Sequence, residues 1–288
     1  MKAKSRTKNS SKKNILGHVH IERTGGTTLS QILRRIFPLQ FGQAVSFCSQ
    51  QQGIFRPEDL TVLLKINPII KCISGHTLRP YIDLTEIANL RYITVLRDPI
   101  NRYISHHLYW AERQGWEHTF EHFMNRDDMF NFQTKIIAGK EDLNLAKKIL
   151  RTKFFCVGIL EKFEDFLVLL SRKFQTRQRL ISGYKLKNPG KKNSIRKKNI
   201  LENFNTYREK IIERNRIDIQ LYEYVINELH PIQDKEFANS EDNHIFRLGI
   251  TNPGFKQDVA YYLEKLFAAF YYVPVTRLAK KLMRTSES

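Results

Sequence analysis

Hydrophobic positions along the chain switch between short continuous runs and helical spacing. Ile15, Val19 and Ile21 predict a strand over 15–21, and Gly25-Gly26 a turn directly after it. Leu29, Ile32, Leu33 and Ile36 follow at helical spacing and stop at Pro38. Residues 39–56, rich in Gln, Ser and Gly, read as an irregular connection. A short helix over Glu58–Ile66 comes next, with Pro57 suited to its first turn. Compact apolar runs at Ile69–Ile73, Tyr92–Leu96 and Phe154–Gly158 predict three more strands. Helical patterns cover Tyr103–Glu112, most of Phe120–Lys140, Leu143–Leu150 and Phe163–Phe174. Strands alternating with helices make βαβ units, so the expected fold class is α/β: a parallel sheet flanked by helices.

Downstream, Ile200–Leu229 carries a long helical pattern, and helical periodicity returns around Tyr261–Phe270 and Thr276–Met283. No internal repeat is visible. The expected organisation is a basic tail over 1–14, disordered by composition, one domain over 15–231, and a helical C-terminal extension over 232–288.

Composition narrows the class. Of 288 residues, 41% are hydrophobic and 27% charged, with Gly 13 and Pro 9, which excludes collagen-like and wholly disordered chains. No apolar run reaches the roughly 20 residues of a membrane-spanning helix, and no apolar stretch follows the basic start as in a secretory signal. Cys48, Cys72 and Cys156 are odd in number and show no CxxC spacing, so a reduced, cytoplasmic protein is the default expectation.

Charge adds a second layer. The first 14 residues hold six Lys/Arg and no acid, and Arg172–Lys198 holds eleven more with no acid. Together they supply 17 of the net 19 positive charges at pH 7. The bulk of the chain is near neutral, and its basic surface suits an anionic partner, including peripheral contact with a membrane.

Two loops carry the candidate chemistry. In His20-Ile-Glu-Arg-Thr-Gly-Gly-Thr-Thr-Leu29 a glycine turn joins a strand to a helix. Such a turn aims backbone N–H groups and the positive end of the helix dipole at one spot, an anion site. Thr27 and Thr28 add hydroxyls and Arg23 a full charge. The GxxxxGK[ST] spacing of a nucleoside-triphosphate loop is absent. In Ile93-Thr-Val-Leu-Arg-Asp-Pro-Ile-Asn-Arg-Tyr-Ile-Ser-His106, Arg97 follows a strand at the sheet edge where parallel sheets bind ligands. Ser105 lies in the following helix, Asp98 suits the turn, and Arg102 suits a structural ion pair.

Taken together, the two segments resemble the paired signatures of sulfotransferases that use 3′-phosphoadenylyl sulfate (PAPS), above all the carbohydrate group with heparan-sulfate 2-O- and 6-O-enzymes. Glu22-Arg-Thr-Gly-Gly-Thr-Thr28 is similar to that family's PKTGGT-like loop, and Leu96–Ser105 to its LRDPxxRxxS segment. The resemblance implies a sheet of the P-loop nucleotide-binding type. It implies that Arg23, Thr24, Gly25, Gly26, Thr27 and Thr28 hold the 5′-phosphosulfate side, and that Arg97 and Ser105 hold the 3′-phosphate. The family has Lys where this chain has Arg23, so the cation here is a planar fork rather than a point charge. Asn131–Gly139 and Val157–Phe163 resemble two further landmarks, NxQTRxLAG and VGLxERF, and extend the resemblance over residues 15–229. Asn193–Lys197 sits where the heparan-sulfate enzymes have a basic loop, which adds Arg196 to the donor contacts.

The same resemblance gives His76 the role of catalytic base, because Ile73-Ser-Gly-His76 follows the strand before the LRDP strand. An imidazole can accept an alcohol proton near neutral pH. The reaction implied is in-line sulfuryl transfer from PAPS to a carbohydrate hydroxyl, with Arg23 also catalytic, adenosine 3′,5′-bisphosphate as product, and no metal. The basic segment suits an acidic glycan as acceptor. Two other readings stay open here. A P-loop kinase would need a Lys-Ser/Thr pair and an Asp for Mg²⁺, and a basic nucleic-acid-binding protein would need aromatics interleaved with its cations.

Overall fold

The computed structural model describes residues 12–47, 53–113, 120–173, 202, 204–238, 262–263 and 265–285. Among these residues five strands form one all-parallel sheet: β1 (Lys13–Val19), β2 (Phe41–Gln43), β3 (Cys72–Gly75), β4 (Ala88–Leu96) and β5 (Phe154–Ile159), in the order β2-β3-β1-β4-β5. Helices α1 (Gly26–Ile36), α2 (Pro57–Ile66), α3 (Pro99–Arg113), α4 (Phe120–Met124), α5 (Phe132–Ala138), α6 (Leu143–Lys153) and α7 (Phe163–Lys173) connect and flank the strands. The fold class is therefore α/β, as the alternating pattern predicts.

Alternation along each strand sends neighbours to opposite faces. In β1, Ile15 and Val19 join one core with Leu60, Leu63 and Ile66 of α2 and Ala146, Ile149 and Leu150 of α6. Leu16 joins the other, with Leu29, Ile32, Leu33 and Ile36 of α1 and Phe166, Leu167 and Leu170 of α7. Central strands buried on both faces carry near-continuous apolar runs, which is why β1 and β4 are readable in the sequence. A third cluster under α3 and α4 gathers Tyr103, Phe120, Phe123 and Phe130.

Several boundaries differ from the pattern. The connection over 39–56 contains β2, whose three residues pair in parallel with β3, Phe41 opposite Cys72; so short an edge strand leaves no periodic signal. β3 begins at Cys72 rather than Ile69, which is 52% exposed. The single helical stretch expected over Phe120–Lys140 is divided. α4 stops at Met124, a 3₁₀ turn covers Asp127–Met129, and Asn131 in the left-handed region (φ 44°) starts α5. The long downstream pattern is likewise divided at Asn215, between α8 (Arg208–Arg214) and α9 (Arg216–Tyr224). A π-helical turn, Val225–Leu229, leads on into α10 (His230–Ala238). Near the C-terminus a second π turn, Ala268–Tyr272, runs into α11 (Val273–Thr285). No helix among the described residues is long and apolar enough to cross a membrane. Cys72 and Cys156 are buried.

Candidate functional site

Chain direction defines where a site can form. From β1 the chain leads toward the β2 edge, and from β4 toward the β5 edge, although β1 and β4 are adjacent. Loops diverging from neighbouring strands leave a crevice at the carboxyl ends of the strands, where open α/β sheets bind ligands. The β1–α1 loop and the β4–α3 loop flank that crevice.

The β1–α1 loop is shaped by two glycines. Gly25 is the N-cap of α1 at φ 84°, a conformation that side chains with a Cβ rarely adopt, and no side chain among the described residues caps the helix. At Gly26 a Cβ would overlap the His20 ring. The first N–H groups of α1 thus open toward the crevice, carrying the positive end of the helix dipole. Arg23 also stands at positive φ (68°), a strained setting for a non-glycine residue that concentrates at functional loops. Thr24 is buried and its hydroxyl donates to the Ile21 carbonyl at 3.0 Å, so it holds the turn together. Thr28 is buried, with its N–H bonded to the Gly25 carbonyl at 3.0 Å, and Thr27 is exposed.

The β4–α3 loop is set by its own sequence. Asp98 accepts from the Asn101 N–H at 2.8 Å and caps α3, and Pro99 fills the first helical position. Arg97 is left at the strand end. Its Nη1 donates to the Arg23 carbonyl at 3.0 Å, while Arg23 Nε donates to Ser105 Oγ at 3.1 Å. The Arg23 guanidinium also lies over the Tyr109 ring at 4.7 Å, one helical turn beyond Ser105. Arg23, Arg97 and Ser105 are therefore one connected group, with Arg23 reaching along α3. Burial lowers the pKa of Arg97, against the opposing pull of Glu161 and Asp98. Its Nε is buried without a hydrogen-bond partner among the described residues.

His76 approaches from β3. The strand ends at Gly75 beside β1, where the His20 N–H donates to the Gly75 carbonyl at 3.3 Å. His76 Nδ1 lies 2.8 Å from the His20 carbonyl oxygen and 3.3 Å from Glu22 Oε1. A carbonyl only accepts, so Nδ1 carries the proton and Nε2 offers its lone pair. The ring stacks on His20 at 3.9 Å, and His20 in turn stacks on His18 at 5.4 Å. Burial first, then neighbouring imidazoles, lowers His18 to about 3 and His20 to about 2, so both are neutral spacers under an exposed His76. The Arg79 guanidinium donates to the His76 carbonyl and helps to fix its backbone.

Three supporting residues lie outside the set expected from the sequence. Gln133 donates to the Arg97 carbonyl at 2.8 Å and accepts from the Arg97 N–H at 2.9 Å, so one amide grips both sides of that residue's backbone. Glu22 flanks His76, with its second oxygen Oε2 buried and unbonded among the described residues. Glu161 accepts from the Asp98 N–H at 3.2 Å and from the Tyr222 hydroxyl at 3.0 Å. Asn131-Phe-Gln-Thr134 and Glu161 were visible as landmarks, but nothing local in them says what they hold. Arg102, a candidate for a structural ion pair, is fully buried instead. It donates to His106 Nδ1 at 3.1 Å and the Met129 carbonyl at 2.8 Å, with Asp218 contributing at longer range. Arg196, most of the basic segment and the tail through residue 11 lie outside the described residues.

In this α/β protein Arg23, Arg97 and Ser105 form one bonded group at the carboxyl edge of a parallel sheet, and His76 is bonded to the same β1–α1 loop. The chain matches no protein-family model and no curated protein.

Proposed function

We propose that this chain is a sulfotransferase that moves a sulfuryl group from PAPS to a hydroxyl of a carbohydrate acceptor. The observation that carries the reading is the bonded group of Arg23, Arg97 and Ser105 linking the β1–α1 and β4–α3 loops, with His76 bonded to His20 at the start of the same β1–α1 loop. On this reading the central strand, glycine loop and uncapped α1 make a sheet of the P-loop nucleotide-binding type. The donor set fits a nucleotide with phosphates at both ends. The α1 N–H groups suit the 5′ side, and the unbonded Arg97 Nε suits an oxygen of the 3′-phosphate.

His76 Nε2 takes the proton of the acceptor hydroxyl. The acceptor oxygen forms its bond to sulfur as the bond from sulfur to the 5′-phosphate oxygen breaks, leaving adenosine 3′,5′-bisphosphate. Arg23 and the amides of Thr24–Thr27 offset the charge gathering on that departing oxygen, an effect of positioning and electrostatics. The His20 carbonyl and Glu22 keep the imidazole in one tautomer and stabilise its cation once the proton arrives. The cations of Arg172–Lys198 favour an acidic glycan as acceptor.

The test is thermal unfolding with adenosine 3′,5′-bisphosphate in buffer free of Mg²⁺. At 100-fold the dissociation constant, linkage gives about 2.7 kcal/mol of stabilisation. No rise in Tm at millimolar nucleotide would sink the reading.

A further inference from the structure

The C-terminal segment has two apolar faces. One packs on the protein: Tyr272, Val275, Ala279 and Met283 join the core over β2 and α2. The Tyr272 hydroxyl accepts from the Gln43 N–H at 2.9 Å, and the Tyr271 hydroxyl donates to the Ile66 carbonyl at 3.3 Å. These contacts fasten the segment to the sheet edge. The other face turns to solvent. Leu263 is 51% exposed, Leu266 54%, Phe270 80%, Leu278 57% and Leu282 59%. With Pro274 between Phe270 and Leu278, they recur every three or four residues and draw one stripe along the segment. A continuous exposed row of this kind marks an interaction surface, whereas scattered exposed leucines would not.

Charge identifies what covers it. From Leu263 to Thr285 the chain has five cations, Lys265, Arg277, Lys280, Lys281 and Arg284, against one acid, Glu264. Exposed Arg277 and Lys281 each precede a stripe leucine by one residue. At 100° per residue this sets them along the border of the stripe, on the side away from Ala279 and Met283. Tyr262, 63% exposed, adds a ring of the kind that sits at a lipid–water boundary. A second copy of the chain is a poor occupant, since each carries a net charge of +19. Nucleic acid meets the cations but gives Phe270 and Leu278 no apolar phase to enter.

We infer that this segment seats the protein on a membrane surface bearing anionic lipids. The stripe enters the boundary of the acyl chains, and the cations lie among the phosphate headgroups. The inference stands apart from the sulfotransferase reading.

The experiment is cosedimentation of the full chain with vesicles of phosphatidylcholine alone and of phosphatidylcholine containing phosphatidylserine. Binding is expected to the anionic vesicles and to weaken with salt. Phe270→Gln with Leu278→Gln should lower the partition constant by about tenfold or more. Arg277→Gln should lower it about fivefold. All three positions are exposed, so Tm and circular dichroism should match the parent; should the double variant misfold, Arg277→Gln and Leu278→Ser taken singly carry the same test. The basic tail and internal basic segment can themselves touch anionic lipid, which makes the stripe variants decisive. Unchanged binding by them overturns the inference. So does equal binding to both vesicles, or none to either. Concentration-dependent dimers lost in the double variant, without vesicle binding, would assign the face to a second copy.

Discussion

His76 and Arg97 follow different strands, both bonded to the β1–α1 loop, and are held differently. His76 is exposed, and its fixed Nδ1–H leaves Nε2 toward solvent, where an acceptor would arrive. Arg97 is partly buried, bonded to the Arg23 carbonyl, and carries an unbonded Nε, a setting for a phosphate. On the proposed sulfotransferase reading, His76→Ala is expected to keep nucleotide affinity and lose about 10²–10⁴-fold in sulfate transfer. Arg97→Ala should instead weaken adenosine 3′,5′-bisphosphate binding by about 1.5–3 kcal/mol, the size of a hydrogen bond to a charged group. Calorimetric titration of both variants, beside single-turnover rates, separates the two roles. Equal loss of nucleotide affinity in both would show that the division of labour is wrong. Arg23 is a bridge in this arrangement, since its Nε is given to Ser105 and its carbonyl to Arg97. Lysine has one charged nitrogen and no fork, so Arg23→Lys should not restore the Ser105 bond and the Tyr109 contact together.

At the scale of elements, two helix starts far apart in sequence cap each other. Asn131, at the head of α5, accepts through Oδ1 from the N–H groups of Ile217 and Asp218, both at 3.1 Å, in the first turn of α9. Asp218 returns the bond. It accepts from the Gln133 N–H at 3.0 Å, the Thr134 N–H at 2.7 Å and the Thr134 hydroxyl at 2.7 Å. Burial raises the Asp218 pKa, while Arg102 and the α5 donors pull it down. Removing this carboxylate strands buried donors and weakens the support for Gln133, which grips Arg97. Asp218→Ala should destabilise the fold by about 3 kcal/mol, read as a lower urea midpoint with little change in slope. A loss below the ordinary surface range of about 0.5 kcal/mol would show that the paired caps hold little. Gln133→Ala, by contrast, should act mainly on nucleotide affinity, because its side chain holds the Arg97 backbone rather than α9. What the sequence could reveal divides along the same line. β1, α1, β4 and α3 are legible because continuous apolar runs, the glycine pair and Asp98-Pro99 are local signals. β2 is three residues long, and the caps join positions more than eighty residues apart; neither leaves a periodic trace. His76, Arg97 and Ser105 could be picked out from motifs, whereas Gln133 and Glu22 gain their meaning only from what lies across the fold.

For the whole molecule, the buried histidines set the response to acid. His18 lies in β1 with Ser74 Oγ at 2.8 Å, His20 beneath His76, and His106 under the Arg102 guanidinium. Burial is the main cause that lowers all three, to about 3, about 2 and about 3, with neighbouring imidazoles or Arg102 adding to it. The unfolded chain titrates these rings near 6.5, so between there and the folded values it binds protons that the native state refuses. Native stability from this source is complete above about pH 6.5 and falls as the pH drops toward 3, by roughly 1 kcal/mol per pH unit for each histidine. Acid also adds to a net charge already at +19, which presses in the same direction. Urea unfolding at constant ionic strength should show this loss between about pH 7 and pH 5. His106→Gln keeps an acceptor for Arg102 and removes one titrating ring, so its profile should be shallower by one histidine's share. A wild-type midpoint that stays level over that range would mean that the rings take up their protons without unfolding, and that the histidine column is open to water.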